Sequence, residues 1–119
     1  MIKKTEAGTE YYTKERCYIT ELHNTELDPS VSIASARVTP GVTTAWHSVS
    51  STEERYLITH GKGCAETDDT CGVFLNVGDS IIIPAGARQR IRNTGETDLI
   101  FLCICTPRFD WVNYNSFEN

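Results

Sequence analysis

Gly41-Val-Thr-Thr-Ala-Trp46-His47-Ser-Val49-Ser-Ser-Thr-Glu53-Glu54-Arg-Tyr56-Leu-Ile-Thr-His60-Gly61 is the stretch on which the reading of this chain turns, together with Gly78-Asp-Ser-Ile-Ile-Ile-Pro84-Ala-Gly86-Ala-Arg88-Gln89-Arg90-Ile-Arg92-Asn93. Both are runs of alternating side chains bounded by turn residues, the pattern of β-hairpins. In an extended chain successive side chains point to opposite faces. Thr43, Ala45, His47 and Val49 therefore share one face and Thr44, Trp46 and Ser48 the other. Glu54, Tyr56, Ile58 and His60 share a face in the next segment, and Gln89, Ile91 and Asn93 in the last. Arg88, Arg90 and Arg92 fall on the opposite face from Gln89, which suits a solvated surface or pairing with acids. Ser80–Ile83 is an unbroken apolar run, read as a strand covered on both faces.

Working outward, Val31–Val38 alternates and stops at Pro40-Gly41, a strand and a turn. Residues 16–22 read as a further strand, followed by a turn around Asp28-Pro29. Gly61-Lys-Gly63, Asp68-Asp69, Asn76-Val-Gly78-Asp79 and Thr94-Gly95-Glu96 mark turns downstream. Leu99–Thr106 is the longest apolar strand candidate, closed by Pro107. Phe109, Trp111, Tyr114 and Phe117 follow in a polar tail, where they are expected to cover one end of the fold or a neighbouring subunit. Eight to ten short strands with frequent turns, and no helix-period segment, call for an all-β sandwich or barrel.

The chain has 119 residues. That is enough for one domain with its own core. The expected division is a core over about residues 31–106, an N-terminal strand and arm over 1–30, and an aromatic C-terminal tail over 107–119. A net charge of −5 and the lack of a basic run argue against nucleic acid as a partner. The longest apolar run, Leu99–Cys105, is too short to span a membrane. Residues 1–6 carry two lysines with no apolar stretch behind them, unlike a signal peptide, and a cytoplasmic location is expected. The five cysteines include no C-x-x-C pair. They read as reduced thiols, with Cys103 and Cys105 on one strand face as small apolar groups.

The two quoted stretches resemble the paired motifs of the cupin superfamily. The first of these runs G, five residues, H-x-H, three or four residues, E, six residues, G. The second runs G, five residues, P-x-G, two residues, H, three residues, N. Every spacing fits here, but Val49 stands at one histidine position and Gln89 at another. The resemblance implies a jelly-roll (double-stranded β-helix) barrel over the whole chain, with both motifs meeting in its cavity. Glu-Arg-Tyr-Leu-Ile (54–58) and Cys-Thr-Pro-Arg-Phe (105–109) look like segments of small bacterial and archaeal cupins labelled mannose-6-phosphate isomerase-like.

Carried over by position, the implied metal ligands are His47, Glu54 and Gln89, with Glu53 as a rival to Glu54. Imidazole and carboxylate suit Zn, Fe, Mn or Ni, so one divalent transition metal is the expected cofactor, and no organic one. The competing reading is a polar cavity whose side chains bond one another. The chain's other histidines, His23 and His60, lie outside the motif positions. Without a metal, His47 can serve as general acid or base, Glu54 can orient it, and Tyr56 can donate a hydrogen bond to substrate. Two functions follow from the resemblance: an enzyme of isomerase, lyase or dioxygenase type acting on a small polar metabolite, or a non-catalytic protein binding a sugar or organic acid. A small jelly roll has exposed sheet edges, and a homodimer is the expected assembly.

Overall fold

A computed structural model describes residues 1–4 and 9–118. Eleven strands run through the described residues: β1 (Tyr11–Tyr12), β2 (Tyr18–His23), β3 (Ser32–Val38), β4 (His47–Val49), β5 (Glu53–His60), β6 (Gly63–Thr67), β7 (Thr70–Leu75), β8 (Ser80–Ile83), β9 (Gln89–Asn93), β10 (Leu99–Thr106) and β11 (Tyr114–Ser116). One turn of 3-10 helix, Trp111–Asn113, precedes β11. The strands form two sheets, one ordered β1-β2-β3-β10-β5-β8 and the other β11-β4-β9-β6-β7, with every pairing antiparallel. This is the jelly-roll arrangement that the two motifs imply. The core fills the space between the sheets, around Val38, Ile58, Ile83, Ile91, Leu99 and Phe101.

The period-two reading holds for the two strands that matter most. In β5 Glu54, Tyr56 and Ile58 are buried, and in β9 Gln89, Ile91 and Asn93 are. The arginines of opposite phase meet acids outside: Arg90 pairs with Glu66 and Arg88 with Asp68. Trp46 lies on that outer face, beneath Arg90 at 4.5 Å. The reading of β8 as covered on both faces is corrected. β8 is the edge of its sheet, and Ile82 is 59% exposed. Ile83 is buried against the core and Ile82 points out of the sheet, where nothing covers it.

Asn93, which closes the second motif, is a structural clamp. Its Nδ2 donates to the carbonyls of Val38 and Thr97, both at 2.8 Å, and its Oδ1 accepts from Gly95 N–H at 2.8 Å. All of its bonding capacity therefore goes to holding the β9–β10 turn against β3. Among the described residues no helix is long and apolar enough to cross a membrane.

Candidate functional site

Between the sheets lies a cavity of about 630 Å³, its open mouth included. Alternation places part of its polar lining; Thr44, read onto the face opposite His47, lines it too, because residues 44–46 lie outside the strand and do not alternate. His47 enters from β4, and Glu54 and Tyr56 enter from β5 on the opposite sheet. His47 and Glu54 are 3% and 6% exposed. Val49, at the missing histidine position, lines the same cavity with a methyl-bearing side chain that cannot ligate.

Gln89 sits opposite His47 in the β4–β9 ladder but is not among the residues that line the cavity. Its amide bridges the two sheets behind the site. Nε2 donates to Glu54 Oε1 at 2.7 Å, and Oε1 accepts a short hydrogen bond from the Tyr56 hydroxyl. Cys105 Sγ lies 3.6 Å from the other oxygen of Glu54, placed to donate to it. Tyr56 thus spends its hydroxyl proton on Gln89 rather than on the cavity. Burial raises the Glu54 carboxyl, partly offset by His47 and by the Gln89 bond.

Replacing Gln89 by leucine is expected to cost about 2–6 kcal/mol, since it strands two buried polar partners at about 1–3 kcal/mol each. Urea denaturation measures it, and a cost below about 1 kcal/mol would remove the bridge as a support of the site.

The partner of His47 comes from outside both motifs. Nδ1 of His47 lies 2.8 Å from the carbonyl of Ala45, which can only accept, so Nδ1 carries a proton. Nε2 then faces Oε2 of Glu15 at 3.2 Å. The contact is a close approach of two ionisable groups rather than a directed hydrogen bond. Burial pushes the Glu15 carboxyl up to about 7, partly offset by Lys14, and pulls the His47 imidazole down. Both shifts favour the uncharged forms of the two groups over an ion pair.

Glu15 reaches this place through a tight turn. Thr13 N–H donates to Cys17 O at 2.9 Å, Arg16 N–H to Thr13 O at 3.1 Å, and Glu15 N–H to Thr13 Oγ1 at 3.2 Å. Arg16 takes a left-handed conformation, φ 67°, and its guanidinium binds both carboxylate oxygens of Glu118. Ala45 N–H donates to Glu15 O at 3.0 Å, docking the turn beside β4. No motif or periodicity in residues 13–17 announces this; the turn becomes visible only once β1 and β2 have paired around it.

The C-terminal tail completes the mouth. Tyr114 stacks on His47 with ring centroids 5.2 Å apart and 19° between planes. Trp111 packs on Tyr114 and Phe109 on Trp111, each at 5.0 Å. The expectation that tail aromatics cover one end of the fold holds for Phe109, Trp111 and Tyr114, which line the cavity; Phe117 is exposed. Cys103 and Cys105 face the cavity as well, but burial raises both thiols, so neither is an activated thiolate.

The donor set does not fit the divalent metal that the resemblance implies. His47 Nε2 is engaged with Glu15, Glu54 Oε1 accepts from Gln89, and Gln89 stands behind the lining. Among the described residues no group of three or more His, Cys, Asp or Glu side chains could hold a metal ion. His23 pairs with Asp28, and His60 is exposed beside Thr59, so neither supplements the set.

A family model described as Cupin domain matches residues 34–105. An uncharacterized protein of Methanocaldococcus jannaschii is 33% identical over 101 residues, which cover 83% of this chain and 80% of that protein. Among solved structures, Pac13, described as a unique nucleoside dehydratase and found in Streptomyces, superposes with a TM-score of 0.80 at 15% identity. The match covers 99% of this chain and 92% of that one. A predicted oxalate decarboxylase of Thermotoga maritima superposes with a TM-score of 0.78 at 23% identity, covering 90% and 99%. At these identities the structural likeness shows the fold alone.

Proposed function

The chain belongs to the cupin family, and from that premise and the geometry of its cavity we propose that it is a small-molecule enzyme whose His47–Glu15 pair moves a proton on a bound substrate. The observation that carries this is the 3.2 Å approach of Nε2 to Oε2 with Nδ1 already committed to Ala45. An imidazole nitrogen without a proton and a carboxyl that burial pushes up to about 7 thus lie side by side, and both residues line the cavity. The pair can hand a proton to a bound molecule as an acid and take one back as a base. Burial pushes the Glu15 carboxyl up to about 7, so it is poised to change protonation near neutral pH, and holds the imidazole in its neutral, proton-accepting form. Tyr114 fixes the imidazole plane by stacking, and the Gln89 bridge holds Glu54 as a fixed polar wall.

Cupins often hold a divalent metal. When bound, such an ion polarises an oxygen of the substrate. The present donors suit a metal-free site better, and proton transfer of the isomerase or lyase kind is the chemistry they support. The dehydratase named among the structural neighbours is compatible with that class.

The experiment is deuterium exchange. The protein is treated with chelator and incubated in heavy water with a panel of small hydroxy- and amino-carbonyl compounds, and incorporation at carbon is followed by NMR. Wild type is expected to exchange at least one of them. His47→Gln should lower that rate by about 10²–10⁴-fold, the usual worth of a positioned acid or base. Retained exchange in His47→Gln removes the pair from the mechanism. Binding without exchange across the panel points instead to the non-catalytic reading, which the prior commitment of Tyr56, Gln89 and Glu54 to one another favours.

A further inference from the structure

The lining of the cavity is unbalanced in charge. Three carboxyl side chains, Glu15, Glu21 and Glu54, belong to it, and among the described residues no lysine or arginine does. The two nearest cations stand outside. Lys14, exposed at the rim, partly offsets the rise of the Glu15 carboxyl, and Arg108, whose Nε donates to Asn24 Oδ1 at 2.8 Å, does the same for Glu21. A second, independent feature is the hydroxyl of Tyr114, which is buried in the cavity wall with no hydrogen-bond partner. A buried hydroxyl without a partner is uncommon and asks for one. The third is the mouth, where the rings of Tyr11, Trp111 and Tyr114 gather. The outer part of this mouth already holds an ammonium, since Lys14 Nζ lies 4.7 Å from the Tyr114 ring centroid and 5.9 Å from that of Trp111.

We propose that the ligand of this cavity is a small protonated amine with a flat apolar body, its ammonium set among Glu15, Glu21 and the Tyr114 hydroxyl and its body against the rings of the mouth. This rests on the reading of the cavity as the substrate site and names the substrate class. Each part follows from donor and acceptor inventory. An ammonium has donors only, and carboxylates and the Tyr114 oxygen accept. Charge-assisted bonds of this kind are the strong ones, and aromatic faces attract the same cation. A carboxylate or phosphate would meet three acids and no lining cation, and each of those acids that ionised would repel it, whereas an ammonium favours their ionised forms. The organic acid expected from the sequence is therefore the disfavoured ligand.

The test uses three probes with the same ring and different charge: benzylamine, benzyl alcohol and benzoate, titrated by calorimetry at pH 7.5 and 0.15 M salt. Benzylamine is expected to bind about tenfold or more tighter than benzyl alcohol, which is a difference of about 1.4 kcal/mol, with benzoate giving no heat of binding. Glu21→Gln should weaken benzylamine several-fold and leave benzyl alcohol unchanged. Tyr114→Phe should weaken benzylamine as well, and Glu26→Gln, in the exposed turn after β2, should change neither. Thermal melts check that each variant is folded. Equal affinity for all three probes, tighter binding of benzoate, no binding of any probe, or indifference of benzylamine to Glu21→Gln each overturn the proposal. The two readings fail separately. Amine binding without deuterium exchange removes the acid–base mechanism and leaves the ligand class. Exchange confined to neutral or anionic compounds removes the ligand class and leaves the mechanism.

Discussion

Glu15→Gln is expected to stabilise the fold by about 3 kcal/mol at pH 8 and by almost nothing at pH 4.5. In the unfolded chain this carboxyl titrates near its ordinary 4.5, and in the fold burial lifts it to about 7. Between those values the folded state holds a proton that the unfolded state has released. Stability therefore falls as pH rises through this window, and the loss is complete above 7. Each tenfold change in proton affinity is worth about 1.4 kcal/mol, so the rise from 4.5 to about 7 amounts to about 3 kcal/mol.

Glutamine is nearly the same size and has no charge to bury, so it escapes the cost of ionising in the cavity. His47 contributes with the opposite sign. Its imidazole is lowered in the fold, so the unfolded state binds its proton more tightly and stability rises with pH up to about 6.5. Glu21 and Glu54, both raised by burial, act in the same direction as Glu15. The informative quantity is therefore the difference between variant and wild type in urea denaturation at pH 4.5, 6 and 8. A difference that does not change with pH would show that Glu15 is not held protonated. On the proposed mechanism the same variant should also lose deuterium exchange, a stability gain that comes with lost activity.

Gly61→Ala is expected to cost about 3 kcal/mol or more, whereas Gly78→Ala should cost about 1–2 kcal/mol. Both glycines sit at positive φ, 74° and 92°, where an L side chain is strained. They differ in what a Cβ would meet. At Gly61 it would lie 2.6 Å from the carbonyl oxygen of Asp98 and 3.2 Å from Leu99 Cα, which are backbone atoms at the start of β10. At Gly78 nothing lies within 4 Å. The first substitution therefore adds a backbone clash to the conformational cost, and the second carries the conformational cost alone. Comparable losses at both positions, measured by thermal and chemical denaturation, would show that conformation alone requires the first motif to end in glycine.

Alternation is a covalent property of an extended chain, so it was legible without the fold. It placed Glu54 with Tyr56, Gln89 with Ile91 and Asn93, and the arginines outside. The tail aromatics were legible as a cover because four rings in a polar segment need a surface. Less legible were side chains whose neighbours come from other strands. The Ile81–Ile83 run gave no sign that β8 lacks a second partner. Gln89 was read as a ligand from its position, yet its amide turns to Glu54 and Tyr56 because those groups, buried on the facing sheet, need partners.

The sequence by itself determined that this is a two-sheet β-fold of the cupin kind and that His47, Glu54 and Tyr56 face its interior. Spacing, alternation and turn residues are local, and they suffice for that. Only the tertiary structure decided what His47 touches, because Glu15 lies in a turn far back in the chain and Tyr114 in a strand near its end. That turn brings a carboxyl to 3.2 Å from Nε2 inside a cavity with no lining lysine or arginine among the described residues. Burial then removes the water that would otherwise hold both groups in their ordinary charge states.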